Sequence, residues 1–491
     1  MRANRQDKTS DVAIIGSGFG GIGMGYQLKQ AGIDSFVIFE KAQDVGGTWR
    51  ENTYPGCGCD IPSHLYSYSF EPHYPWAFRY AKQPEILSYL QHCARKYELE
   101  PHLRFGCEVA GAEFDEARGL WKIRMADGSL HEARFLLSAV GQLYRPAIPN
   151  IPGLDTFQGE QFHSAQWNHD YDLNGKNVAV IGTGASAVQF VPEIVKQVAR
   201  LDVYQRSPGW TIGKVEREFT PFERKLLDKL TLIHDLDRAR IFGLTEVLAY
   251  AYQGHQWAER LVTQLAKRHL HRQVRDPVLR RKLTPDYPVG CKRILLSNDW
   301  LPALARDNVE VVTDAVTEVT ASGVRDASGA HREVDAIIFG TGFSATEFLA
   351  PMEIRGLNGQ SLREKWKQGA SAYLGMSVAG FPNFFTLYGP NTNLGSGSII
   401  YMLESQQRYI GKMIEAQRNE GWTWAQVRED AQQKFAEEIR QRSENSTFEA
   451  NCQSWYKTAD GVNTNNWIGS MLEYRRRTTQ PQFDHYQIQA G

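Results

Sequence analysis

The sequence predicts an α/β protein built from two similar strand–loop–helix–strand units, the second interrupted by a helical block. Three observations carry this. The apolar run Asp11-Val12-Ala13-Ile14-Ile15 leads straight into Gly16-Ser17-Gly18-Phe19-Gly20-Gly21. A second run, Asn177-Val178-Ala179-Val180-Ile181, leads into Gly182-Thr183-Gly184-Ala185-Ser186-Ala187. From Pro221 to Leu283 the chain reads as mostly helical, with Leu226, Leu227, Leu230 and Ile233 near helical spacing. Short apolar runs suit buried parallel strands. A glycine loop between such a strand and a helix permits the tight turn and close backbone approach of a pyrophosphate to a helix N-terminus. The expected fold class is therefore α/β, with two dinucleotide-binding (Rossmann-like) domains and a helical insertion in the second.

In the first unit, Ile22, Met24 and Leu28 continue as a helix that Gly32 stops, and Ser35–Phe39 is the next strand. That strand ends on Glu40, about twenty residues past the loop, where a carboxylate can accept from a ribose hydroxyl. Gly16, Gly18, Phe19, Gly20, Glu40 and the adjoining Lys41 are the candidate contacts. In the second unit, Leu201–Gln205 is the corresponding strand, and it ends on Arg206-Ser207. A guanidinium and a hydroxyl suit a 2′-phosphate, which a carboxylate would repel. The plainer alternative for Arg206, a solvated strand end, carries less weight at this position. The opposite ends assign FAD to the first unit and NADPH to the second, with Gly182, Thr183, Gly184, Ala185, Ser186, Arg206 and Ser207 as candidate contacts.

The three prolines between Tyr144 and Gly153 mark a crossing between domains, and Asp335–Phe343 is a further buried strand with a glycine turn. The expected division is residues 1–141 for the first part of the FAD-binding domain, 142–345 for the NADPH-binding domain with its insertion at about 221–285, and 346–491 for the second part of the FAD-binding domain.

At 491 residues the chain exceeds one core, and 42% apolar with 23% charged residues is ordinary for a globular protein. A net charge of −1 argues against nucleic acid as a partner. Met1–Ser10 is polar and charged, without the apolar core of a signal peptide, and no run is long enough to span a membrane. Six cysteines, at 57, 59, 93, 107, 291 and 452, form no disulfide framework and no pair of CxxC units. The expectation is a reduced, cytoplasmic protein without a metal site.

Four further stretches point to chemistry. Phe157, Gly159, His163 and Trp167 form FxGxxxHxxxW between the two loops. Gly46-Gly47-Thr48-Trp49 through Tyr54-Pro55-Gly56 to Asp60 is a Gly- and Pro-rich loop, in which Asp60 alone reads as a capping residue. Lys292 and Arg293 adjoin after Asp286-Tyr287-Pro288, so on extended chain they point to opposite sides. Ser454-Trp455-Tyr456 lies near the end. Together these resemble the type I Baeyer–Villiger monooxygenases over nearly the whole chain. The FxGxxxHxxxW stretch matches that family's fingerprint, and Gly46–Asp60 matches its second pattern.

The resemblance implies an FAD- and NADPH-dependent enzyme that converts ketones to esters or lactones with O2 by way of a C4a-peroxyflavin. It further implies that Gly47, Thr48, Trp49, Tyr66 and Trp455 lie at the cofactors, that Lys292 meets the 2′-phosphate, and that Arg293, oriented by Asp60, is catalytic. Asn168 departs from the usual end of the fingerprint, and Lys457-Thr458-Ala459-Asp460 departs from the tail of the cyclic-ketone enzymes. The sequence leaves the ketone and the oligomeric state open. An N- or S-oxygenating flavin monooxygenase would lack the Trp167 and Asp60 patterns. A pyridine-nucleotide disulfide reductase needs a redox dithiol, which Cys57-Gly58-Cys59 does not space correctly. A non-enzymatic flavin redox sensor has no use for Arg293.

Overall fold

The two runs that precede the glycine loops are inner strands of separate sheets. The computed structural model describes residues 8–449, 456–458 and 460–491. The first sheet starts with β1 (Thr9–Ile15), β2 (Phe36–Phe39), β3 (Leu103–Arg104), β4 (Val109–Asp115), β5 (Leu120–Met125) and β6 (Leu130–Ser138). β1 is parallel to both neighbours, with Val12 opposite Phe36 on one side and Phe135 on the other. Val12, Ala13 and Ile14 are completely buried, which is why the strand reads as an unbroken apolar run rather than an alternation. β4, β5 and β6 form an antiparallel meander.

The second sheet contains β7 (Glu160–His163), β8 (Asn177–Ile181) and β9 (Arg200–Tyr204). β10 (Thr211–Ile212) and β11 (Leu295–Leu296) bracket the helical insertion and pair with each other. β12 (Val309–Val312) joins the second sheet, β13 (Val316–Thr320), β14 (Gly323–Asp326) and β15 (His331–Glu333) form a small antiparallel sheet, and β16 (Ala336–Phe339) completes the second. Its order is β12-β9-β8-β16-β7, parallel throughout. The chain then returns to the first sheet, where β17 (Glu353–Arg355) pairs with β4 and β18 (Phe384–Thr386) with β6.

The outgoing and returning crossings lie side by side. Ala147 N–H donates to Gly342 O at 2.9 Å and Ser344 N–H to Arg145 O at 3.0 Å. The Thr341 hydroxyl donates to Ala147 O at 2.6 Å.

The helices that position the site are α1 (Phe19–Gln30), α2 (Thr48–Glu51), α3 (Gln83–Lys96) and α4 (Ala185–Ile194). The insertion consists of α5 (Pro221–Lys229), α6 (Thr231–Tyr252), α7 (Gln256–Gln273) and α8 (Pro277–Lys282). A Thr220–Glu223 capping box starts α5. The helical spacing of Leu226, Leu227, Leu230 and Ile233 is not one buried stripe. Leu230 has φ −118° and ψ 71°, outside the helical region, so the helical phase resets there and leaves Leu230 49% and Ile233 40% exposed.

α6 docks on the first unit. Arg238 donates to His64 O at 2.6 Å and Ser67 O at 3.1 Å, and Asp237 lies against His64 and Arg79. Among the described residues no helix is long and apolar enough to cross a membrane. Among the described residues the expectation of reduced thiols fails at Cys291, which is disulfide-bonded, while Cys57, Cys59, Cys93 and Cys107 are free.

Candidate active site

The first loop is shaped by contact with the end of β6. Gly16 has φ +101°, and a Cβ there would lie 2.8 Å from Ala139 O, so the turn admits only glycine. Gly18 precedes α1 without any side-chain cap, which leaves the helix N-terminus open to an anion. Ser17 O accepts from Gly46 N–H at 3.1 Å, bringing the Gly46–Asp60 loop alongside.

Glu40 is 5% exposed. Burial by itself would raise its carboxyl. Hydrogen bonds from Ala42 N–H, from the Ser17 hydroxyl and N–H, and the Arg50 guanidinium at 3.3 Å outweigh that and hold it below the usual range. Thr48 and Trp49 open α2, and the Trp49 indole donates to the Tyr66 hydroxyl at 3.1 Å. Lys41 lies over the Tyr144 ring at 5.9 Å, so its ammonium faces the outgoing crossing.

The second loop repeats the geometry. Gly182 has φ +105°, and a Cβ there would meet Gly340 O at 2.5 Å. Gly184 precedes α4, and Ala185 and Ser186 form its first turn, again without a side-chain cap. β9 carries no carboxylate at its end: Arg206 is exposed and Ser207 half-buried. Lys292 donates to the Ser207 hydroxyl and lies 4.8 Å over the Tyr287 ring. Burial lowers the Lys292 ammonium below its ordinary value, and the Arg206 charge lowers it further. Two cations and a hydroxyl thus converge where an anion would relieve their repulsion.

Arg293 points the other way, as alternation requires. Its Nη2 lies 3.3 Å from Asp60 Oδ2. Its side chain keeps 37% of its surface accessible, so part of the guanidinium is not packed against neighbours. Burial disfavours its charge. Asp60 more than compensates, with lesser contributions from Tyr456 and Tyr252, and the pKa rises above the usual guanidinium value. Cys57 and Cys59 are buried, and burial pushes each thiol up to about 12, which makes them poor thiolates and an unsuitable redox pair. These residues fit FAD at the first loop and NADP at the second.

A model of the flavin-binding monooxygenase-like family matches residues 9–361. The chain belongs to that family. Within it, a Baeyer–Villiger monooxygenase of Pseudomonas aeruginosa is 45% identical over 471 residues, covering 96% of this chain and 89% of the relative. One from Streptomyces coelicolor is 45% identical over 480 residues, covering 97% and 92%. Among solved structures, a steroid monooxygenase bound to NADP superposes with a TM-score of 0.87 at 30% identity, covering 98% of this chain and 100% of the other. Cyclohexanone monooxygenase from Rhodococcus sp. Phi1 bound to NADP+ superposes at 0.86 with 28% identity, covering 99% and 100%.

In this flavin monooxygenase the fingerprint stretch belongs to the second sheet. It forms the edge strand β7, parallel to β16, with His163 opposite Phe339. A Cβ on Gly159 would lie 2.4 Å from Asp335 O, which explains the glycine. Phe157 packs into the second sheet's core. Trp167 meets Phe162 at 5.1 Å and Phe190 of α4 at 5.3 Å between ring centres. His163 Nδ1 accepts from Ala165 N–H at 3.1 Å, and its ring lies 5.7 Å from Phe343 on the returning crossing. Burial lowers its pKa, with the Gly342 backbone acting in the opposite sense. Trp455 lies outside the described residues.

One residue escaped sequence reasoning. Gln189, on α4, donates to Gly58 O at 2.9 Å and to Asp60 Oδ1 at 3.4 Å, and accepts from the Tyr54 hydroxyl at 3.0 Å. The only signal was an amide in the otherwise apolar stretch Ala187-Val188-Gln189-Phe190-Val191.

Proposed function

We propose that the space between the two loops performs the Baeyer–Villiger oxidation of a ketone to an ester or lactone, with FAD held by the first loop and NADPH by the second. Bound FAD, reduced by NADPH, supplies the redox chemistry with O2, one oxygen atom entering the ketone and the other leaving as water. The observation that carries the reading is Arg293: a permanent cation, anchored to Asp60 at 3.3 Å, with 37% of its side-chain surface still accessible.

That guanidinium stabilises negative charge as it develops on the substrate carbonyl oxygen. Its planar fork lets one edge bind Asp60 while another stays available to the substrate. Asp60 orients it, and Gln189 orients Asp60 from the helix whose first turn receives the dinucleotide. Glu40 accepts from the FAD ribose, while Arg206, Ser207 and Lys292 bind the 2′-phosphate. Gly47, Thr48, Trp49 and Tyr66 line the flavin. His163 is a positioning residue, packed where the two crossings meet. In this reading residues 1–141 and 346–491 bind FAD, and 142–345 bind NADPH.

The test is product analysis. A panel of ketones, sulfides and amines is incubated with NADPH under 18O2, and esters carrying one 18O are the expected products. Turnover of sulfides or amines with no ester from any ketone overturns the reading in favour of N- or S-oxygenation.

A further inference from the structure

Away from the cleft, His73, His234 and Asp235 gather where α6 meets the first unit, their candidate ligand atoms all within 4.8 Å of one another. His73 Nε2 is 3.0 Å from Asp235 Oδ1, and His234 Nδ1 is 3.6 Å from that same oxygen. The rings of His64 and His73 flank His234, with centroids 4.1 and 4.9 Å away.

His234 is the anomaly. It is 2% exposed, and neither ring nitrogen has a hydrogen-bond partner. Buried polar groups are almost always satisfied, because an apolar setting without a partner costs free energy. Nothing in the proposed oxidation uses this ring. Its Nδ1 is directed at the carboxylate of Asp235 but stops short of a bond.

We propose that His73, His234 and Asp235 form a binding site for a divalent first-row metal ion of the Zn2+ class, with water in the fourth position. Two imidazoles and a carboxylate are ligands such ions take, and a Zn–N bond of about 2.0–2.1 Å sets tetrahedral ligands roughly 3.3 Å apart. The present spacing closes to that by rotation of His73 and Asp235, both of which are exposed. The ion replaces the His73–Asp235 hydrogen bond and gives His234 the partner it lacks. It enters from the solvent side, where those two residues lie.

The site joins two parts of the chain distant in sequence. The ion takes the place of the His73–Asp235 tie, beside those made by Arg238 and Asp237 between α6 and the segment around His64. α6 ends at Tyr252, whose hydroxyl accepts from the N–H of Ile294, the residue after Arg293, at 3.3 Å. The ion therefore braces a helix that reaches the cleft without touching any reacting atom.

Zn2+ binding to the tag-free, chelator-dialysed holoenzyme is measured in competition with a chromophoric chelator, and Co2+ is added separately for its visible spectrum. One Zn2+ per chain is expected. His73→Ala and Asp235→Asn should each weaken binding at least about tenfold, the scale already reached when an outer-shell partner is lost. His271→Ala, on an exposed face of α7, should leave it unchanged. Zn2+ should raise the melting temperature of the unsubstituted protein and not that of the two variants. Tetrahedral Co2+ bands should appear in the unsubstituted protein and vanish in His73→Ala. Absence of retained Zn2+ at micromolar free ion, or binding that both His73→Ala and Asp235→Asn leave intact, overturns the proposal.

Discussion

The two glycine loops share a backbone and differ at the end of the following strand. Gly16 and Gly182 have φ of +101° and +105°, and each lies against a carbonyl of the neighbouring strand's end. Each loop opens an uncapped helix. The first unit then ends on a buried, hydrogen-bonded carboxylate, Glu40, and the second on an exposed cation, Arg206, with Lys292 alongside. Backbone geometry fixes that a dinucleotide pyrophosphate can bind at each loop. About twenty residues past each loop, the following strand ends on a side chain of opposite charge in the two units. Lys292 and Arg293 extend the contrast, since the first of these adjacent cations meets Ser207 beside the second loop and the other turns to Asp60.

The sharpest way to break this division of labour is Arg293→Ala. Anaerobic reduction by NADPH should continue, because it does not require stabilisation of a carbonyl oxyanion. Ester formation should fall by on the order of 10²–10³ or more, the usual cost of losing such a contact. Stopped-flow reduction and product analysis decide the matter, and ester formation at a comparable rate would remove Arg293 from the chemistry.

Arg206→Ala tests the cofactor end. A charged hydrogen bond contributes about 1.5–3 kcal/mol, or roughly ten- to a hundredfold. The KM for NADPH should rise by that factor while the KM for NADH hardly moves. Equal changes for both would mean that Arg206 does not read the phosphate. His163→Ala should act on neither nucleotide alone. It should retain FAD and raise the fraction of NADPH consumed without ester about severalfold, measured as hydrogen peroxide per NADPH. Unchanged coupling would leave the fingerprint as an edge strand only.

The smallest effect concerns pH. The Glu40 carboxyl is held below its ordinary value, near 4.3 in the unfolded chain. It therefore contributes stability that is fully present above that value and is lost as pH falls through its lower folded pKa. Glu40→Gln should flatten the acid limb of a melting-temperature profile and lower FAD retention. An unchanged acid limb would show that the carboxylate's hydrogen bonds do not stabilise the folded state.

The loops were legible because glycine at a positive φ leaves a visible mark and because buried parallel strands are unbroken apolar runs. The charge swap at Glu40 and Arg206 was legible because it falls at a fixed distance past each loop. Gln189 was not, since its role depends on α4 lying against the Gly46–Asp60 loop, a contact no spacing encodes. The phase reset at Leu230 was hidden because leucine is a strong helix former. The gathering of His64, His73 and His234 arises only when α6 docks on the first unit, and the Cys291 bridge likewise needs the folded chain.

The paired crossings have a consequence for how such a chain can be altered. Arg145–Ala147 and Gly342–Ser344 lie in register, so everything between them begins and ends at nearly one point. A segment with adjoining ends can be lifted from one protein and set into another without stretching the host, as tolerated domain insertions show. Residues 148–341 are in that sense a cassette. Exchange at these two crossings would carry the second loop, Lys292 and Arg293 together, while Asp60 and Glu40 stayed with the recipient.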